Sequence, residues 1–317
     1  MASLFGLDPA AYRPHDVHTG ARAYSETNCY TDIVIELLHA RGDEPLAMLG
    51  TTVRTDFEGD QWTFFKPAPH DLEALYGVDI HEMQPYRPLP QQIEEQIRAG
   101  RTLITELDSW YLPDTQATAY RREHVKTSVV AEAIDRDGER LRYFHNLTLH
   151  ELEGEDYRGV FRLGREFSDD VLPPYTELVR FDAGPRLTGD ALRASSAELL
   201  RGHLDRRPSA NPFTAFGVQL GEALPGLLEG DAALYHEYAF ATVRMVGSAF
   251  ELCASHVEWL LGQQAEPIVA PLGTIVDGSK TLSFKLARRR AFDPEPALSA
   301  LAAAWDEALT RLDAAVR

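Results

Sequence analysis

The chain has only two cysteines in 317 residues, Cys29 and Cys253, far apart and in unrelated contexts. That excludes a disulfide framework and fits a reducing cytoplasm. No apolar run approaches the roughly 18 residues of a membrane span, so no membrane association is expected. The opening "MASLFGLDPAAYRPHD" has no basic flank before a long apolar core and does not read as a signal peptide. Positive charge is also scarce. Against 49 Asp and Glu there are 31 Lys and Arg, and a net charge of -18 argues against nucleic acid and anionic membrane surfaces as partners. Basic residues are dense only around Arg121, Arg122 and Lys126 and in "KLARRR", Lys285 to Arg290. The phosphate-binding GxxxxGK(S/T), a GxGxxG opening a helix and the GxSxG elbow are all missing, so nucleotide and nicotinamide chemistry are not indicated. "HDVH" groups His15, Asp16 and His18, but no further ligand stands at a supporting spacing, and no metal is expected.

What is present is an ordinary globular composition, 44% hydrophobic and 25% charged, long enough for two cores. The first half reads as mixed α and β. "ETNCYTDIVIELLHA" (Glu26 to Ala40) predicts a helix, with Thr27 and Asn28 as capping residues, Asp32 in the first turn, and Ile33, Ile35, Leu37 and Leu38 as its apolar set. "PLPQQIEEQIRAG" is a second helix, stopped at Gly100. "RTLITELDSWYL" reads as a buried strand, and "HVKTSVVAEAIDRDGERLRYFHN" as a hairpin turning at Asp135 to Gly138. Beyond "FSDDVLPPYTELVRFDAGP" (Phe167 to Pro185) the chain is mainly helical. Ala233 to Gly262 reads as one long buried helix, on which Glu237, Arg244 and Glu251 recur every seven residues as an ion network or a ligand site. A final stripe of Leu298, Leu301, Trp305, Leu309, Leu312 and Val316 marks a packing helix. The expected fold class is α+β, with an α+β domain over 1–175 followed by a helical domain over 176–317.

One constellation carries chemistry. Cys29 falls in the first helical turn, where unpaired amides and the helix dipole favour an anion and so a reactive thiol. The plainer reading is a small apolar residue facing the core. A cysteine nucleophile needs a base and a group to orient that base. His124 begins one strand of the hairpin and Asn146 ends the other, so both fall near its open end. A helix bearing Cys29 packed on that sheet could meet them, the order and placement of papain-like folds. His145, beside Asn146, could be the functional side chain instead. Asp108 ends an apolar strand, where site residues tend to sit, and Tyr111 and Pro113 look like pocket walls. The Cys29 amide would supply one oxyanion donor, with Asn28, Thr27 and Tyr24 as open possibilities for a second.

The runs "NCYTDIVIELLHARGDEPLAMLG", "LITELDSWYLPD" and "HVKTSVVAEAIDRDGERLRYFHN" resemble the butirosin-biosynthesis acyltransferase family. "HEYAFATVRMVGSAFELCASHVEWLL", "KTLSFKLARR" and "AAAWDEAL" resemble a bacterial branch encoded near amino acid:carrier-protein ligases. The resemblance covers nearly all of the chain from about residue 20. It implies a papain-like cysteine fold that moves an acyl group from a carrier-protein phosphopantetheine thioester to an amine, with no bound cofactor. By position it implies Cys29 as nucleophile, His124 as base and Asn146 as orienting residue, with Asp108 as the acidic residue before an aromatic-Leu-Pro loop. The family pattern has Asp-Pro where this chain has Asn146-Leu147, so the orienter is expected to be neutral. The expected activity is therefore an aminoacyl transfer through Cys29, with Asp108, Tyr111, Asn28 and His145 around the substrate. An acidic protein meeting an acidic carrier needs a local basic patch, for which Arg121, Arg122 and Lys126 stand beside His124. The helical domain would be a lid or acceptor platform. A cysteine hydrolase (thioesterase, peptidase or amidase) and a non-catalytic binding protein are the alternatives.

Overall fold

Runs rich in Val, Ile, Leu and Thr gather into one antiparallel sheet in the computed structural model, which describes residues 1–20, 22–24, 26, 28–164 and 172–317. The strands are β1 (Ala2–Ser3), β2 (Phe57–Glu58), β3 (Gln61–Trp62), β4 (Asp79–Glu82) and β5 (Thr102–Asp108). They continue with β6 (Lys126–Asp135), β7 (Arg140–His145), β8 (Thr148–Glu153) and β9 (Thr176–Arg180). Among the described residues β2 and β3 pair only with each other. The other seven form a sheet ordered β4-β9-β5-β6-β7-β8, with β1 beside the far end of β6. Helices α1 (Asp16–Thr19), α2 (Cys29–Ala40), α3 (Pro69–Tyr76), α4 (Leu89–Arg98) and α5 (Gly154–Val160) accompany this sheet.

Strand register decides what faces what. Ile104 pairs with both Val130 and Glu177, and Val130 pairs with Phe144, so all four point to one face. α2 covers that face. The Tyr30 hydroxyl donates to Glu177 at 2.7 Å, and Tyr12, bonded to Glu36 of α2 at 2.5 Å, packs edge-on to Phe144. Burial of Ile33, Val34, Ile35, Leu37 and Leu38 holds α2 there, a gross contribution on the order of 10 kcal/mol before entropy is subtracted. The other face packs Leu103, Leu107, Val129 and Tyr143 against Ile97 of α4 and Val160 of α5.

The direction of α2 follows from its two ends. Tyr30 at its start meets Glu177, and Arg41 just past its end lies over the Phe181 ring at 5.2 Å, beyond the end of β9. α2 packs over β6 and β7 and points in the direction of β9, antiparallel to β5. Its N-terminus shares the sheet end where β5 finishes, β6 begins and β7 finishes.

The remaining helices are α6 (Gly189–Leu204), α7 (Pro212–Glu229), α8 (Ala232–Ala239), α9 (Met245–Leu261), α10 (Glu266–Ala287) and α11 (Glu295–Val316). α8 and α9 are the expected long segment, joined by a π-helical turn at Phe240–Arg244 and stopped by Gly262 at φ 56°. The stripe from Leu298 to Val316 is buried on α11. Cys253 is fully buried in this core, and burial pushes its thiol up to about 11. Among the described residues no helix is long and apolar enough to cross a membrane.

The chain divides into two compact units, and the division is not the single cut expected at 175/176. One unit comprises Met1–Thr19, Asn28–Pro45 and Pro69–Arg186; the other comprises Gly20–Thr27, Leu46–Ala68 and Leu187–Arg317. β9 belongs to the sheet through its pairing with β4 and β5, which carries the first unit to Arg186. The hairpin β2–β3 belongs with the helices because Phe57 and Trp62 stack on Phe216, with Trp62 also against Phe213. Part of the expected boundary stretch, residues 167–171, lies outside the described residues.

Candidate functional site

Asn28 ends the extended chain before α2 and caps it, its Oδ1 accepting from the Thr31 amide at 2.8 Å. Cys29 is the first helical residue and is half-buried, as the capping signal implied. Asn28 spends its side-chain oxygen on the cap, and Thr27 lies outside the described residues.

At the same sheet end, Asp108 closes β5 and opens a short turn over Ser109–Tyr111. Its two oxygens are divided. Oδ1 accepts from the Trp110 amide at 3.0 Å, and Oδ2 accepts from His124 Nδ1 at 2.7 Å. The Trp110 ring then stacks on the imidazole, centroids 4.5 Å apart and planes 8° from parallel. A carboxylate can only accept, so Nδ1 carries the proton and Nε2 is the nitrogen presented outward. The His124 side chain is 64% exposed. The register that pairs Asp108 with Lys126 and Ile104 with Val130 puts Asp108 on the face covered by α2.

A cleft of about 300 Å³ opens at this pair, with Glu106, Asp108, His124, Lys126, Pro174 and Tyr175 among its walls. It is tied to the start of α2 through Glu177. That buried carboxylate accepts from Tyr30, next to Cys29, at 2.7 Å and from Tyr175, in the cleft wall, at 2.9 Å. Burial and the Glu177 carboxylate push the Tyr175 phenol up to about 12. Glu177 pairs with Ile104, four positions before Asp108, so the helix start and the imidazole lie along neighbouring strands.

Three expectations differ from this geometry. The imidazole's hydrogen bond is with Asp108 and not Asn146. Asn146 occupies the two-residue turn between β7 and β8 at φ 48°, a left-handed conformation that asparagine tolerates. His145 is on the opposite face of the sheet, paired with the buried Asp114 through Nδ1 and with Thr127 through Nε2 at 2.8 Å. Strand alternation separates it from His124. Tyr111 is core and not pocket wall, its ring so close to Gly159 that a Cβ there would collide.

The basic patch is largely engaged. Arg121 bonds Asp156 at 2.6 Å and Lys126 bonds Glu106 at 2.6 Å, which leaves Arg122 without a carboxylate partner among the described residues. His15 and His18 also take protein partners, His18 lying fully buried between Asp32 and Glu36. Sequence reasoning missed Trp110 and Glu177. The tryptophan was legible in "LDSWYLPD", directly after the strand-ending Asp108; nothing local marked Glu177.

The chain belongs to the DUF1839 family: the DUF1839 N-terminal domain matches residues 13–181 and the DUF1839 C-terminal domain residues 189–314. The interval between the matches contains the passage at Arg186–Leu187 into the helical unit. No curated protein matches the chain.

Proposed function

We propose that the protein is a cysteine-dependent acyltransferase with a papain-like arrangement, in which Cys29 is the nucleophile, His124 the base and Asp108 the group that orients it. The observation that carries this reading is the His124–Asp108 hydrogen bond at the sheet end where α2 begins with Cys29. A carboxylate in place of the expected asparagine strengthens it, because an anion stabilises the imidazolium that forms when the thiol gives up its proton. Trp110 fixes the ring plane, and Glu177 ties the first turn of α2 to the cleft wall.

The steps follow from the chemistry of thioesters. The Cys29 sulfur attacks the carbonyl carbon of an aminoacyl thioester on a carrier's phosphopantetheine arm. The carbon–sulfur bond to the arm breaks, the arm's thiol leaves with the proton held by His124, and the aminoacyl group is now on Cys29. An amine attacks this new thioester and passes its proton to His124. The amide departs and the thiol is restored. Exchange between thioesters is nearly isoenergetic, while amide formation runs downhill. The Cys29 amide, at a helix start, is one donor to the developing oxyanion. Arg122 is the cation best placed to meet an acidic carrier.

Intact mass after mixing with a panel of aminoacyl-pantetheine and aminoacyl-carrier thioesters tests the reading. A gain of one aminoacyl group, absent in Cys29→Ala and discharged by amines faster than by water, supports the transferase. A cysteine hydrolase is the second reading, favoured by the exposure of His124, which lets water reach the base. Discharge by water alone selects it. No adduct and no thioester consumption would refute both.

A further inference from the structure

The helical unit holds a cavity of about 400 Å³, walled by Tyr24, Ala239, Phe240, Arg244, Ser283 and Ala287. It lies against the π-helical turn Phe240–Arg244, and turns of that kind inside long helices concentrate at functional sites. Arg244 is one of the three heptad-spaced polar residues of this segment. Its guanidinium sits over the Phe240 ring at 5.0 Å and reaches Glu26 at 3.2 Å, through side chains that are 35% and 44% exposed. So exposed an ion pair contributes little, and an anion entering the cavity can take the guanidinium from it.

Tyr24 forms another wall of the cavity. Its hydroxyl is buried beside Ser283 without a hydrogen bond of ordinary geometry. Its position is built from both sides. Glu251, the next heptad residue, accepts from the amides of Ala23 and Tyr24 at 2.6 and 2.9 Å and pairs with Arg22 at 3.2 Å. Gly247, inside α9, leaves space for the Tyr24 ring, with which any Cβ there would collide. Glycine in a helix interior is destabilising, and here the space it frees is filled by the phenol. Glu251 is engaged by these partners, and the polar side chains among the cavity walls besides Tyr24, whose hydroxyl is buried, are those of Arg244 and Ser283.

We infer that this cavity binds a small organic carboxylate with an apolar body. Arg244 takes the carboxylate through its planar fork, Ser283 donates to one of its oxygens, and Phe240, Ala239, Ala287 and the Tyr24 ring hold the apolar part. An ammonium ligand would meet the like charge of Arg244. The inference does not depend on the chemistry at Cys29.

Isothermal titration of the full chain with phenylacetate and hexanoate, one aromatic and one aliphatic carboxylate, is the test. Phenylacetamide serves as the uncharged counterpart. The expected result is saturable one-to-one binding of at least one acid, weakened about tenfold or more in Arg244→Gln. Binding should be abolished in Ser283→Phe, whose side chain fills the cavity, and the melting temperature of each variant checks that it folds. Tighter or equal binding of phenylacetamide would overturn the inference. So would undiminished binding in the folded variants, or no saturable heat from either acid up to its solubility.

Discussion

Two histidine–aspartate pairs occupy the same end of one sheet, on opposite faces. His145–Asp114 is sealed: the imidazole is 2% exposed, both ring nitrogens are bonded, and Asp114 also accepts from Tyr143. His124–Asp108 is open, with Nδ1 held, the ring stacked on Trp110 and Nε2 facing a cleft. The same two residue types therefore stand in different environments. With both nitrogens engaged in a buried network, an imidazole is a structural clasp; with one nitrogen held and the other unbonded, it has the arrangement that acid–base chemistry requires. What separates them is strand parity.

The comparison breaks first at activity. Cys29→Ala and His124→Gln should each lower acyl transfer by roughly a thousandfold or more while shifting the urea midpoint little, since the His124 pair is exposed. Thioester consumption and urea melts on the same samples check this, and a His124→Gln enzyme near full activity would end the proposed role. Asp114→Ala should do the opposite. It removes one partner of a buried network and should cost about 3 kcal/mol of stability in urea titration, with residual activity following the folded fraction.

Asp108→Asn sharpens the contrast. It keeps the shape but loses the charge that holds the imidazolium, so a roughly hundredfold fall in transfer is expected, with Asp108→Glu partly restoring it. The smallest effect is in pH dependence. Burial raises Asp114, but the hydrogen bond and charge of His145 outweigh it and hold the carboxyl below its usual range. His150, beside it, is lowered, chiefly by burial. Both groups bind protons more readily when unfolded, so both contribute stability that falls on acidification, His150 below about pH 6.5 and Asp114 below about pH 4. His18 has the reverse sign. Burial lowers it, but its hydrogen bonds to the Asp32 and Glu36 carboxylates prevail and raise it, so its contribution is complete below about pH 6.5 and is lost as pH rises through the raised value. Urea midpoints across pH should show His18→Gln removing the alkaline decline and Asp114→Asn the acid one.

Much of the sheet unit was legible locally. The helix start at Cys29 was written in Asn28, the β6–β7 turn in Asp135 and Gly138, and the strand end in Asp108. Which carboxylate serves His124 was not. His124 and Asn146 were expected together at the hairpin's open end and Asp108 only at a strand end; bringing Asp108 to His124 needs the β5–β6 register that pairs Asp108 with Lys126. The division into two units rests on contacts of similarly long range. Nothing local ties Phe57 and Trp62 to the helices, and their stacking on Phe213 and Phe216, some 150 positions later, assigns them to the helical unit.

The sequence by itself determined the elements and their caps, because capping, turn chemistry and hydrophobic period act over three or four residues. It also determined that a cysteine would stand at a helix N-terminus. Only the tertiary structure decided which histidine is sealed and which is open, which carboxylate faces the exposed one, and that Glu177 joins Tyr30 to Tyr175. Those relations depend on strand parity and on packing between residues distant in the chain, and a single-residue change of register would have exchanged the two faces.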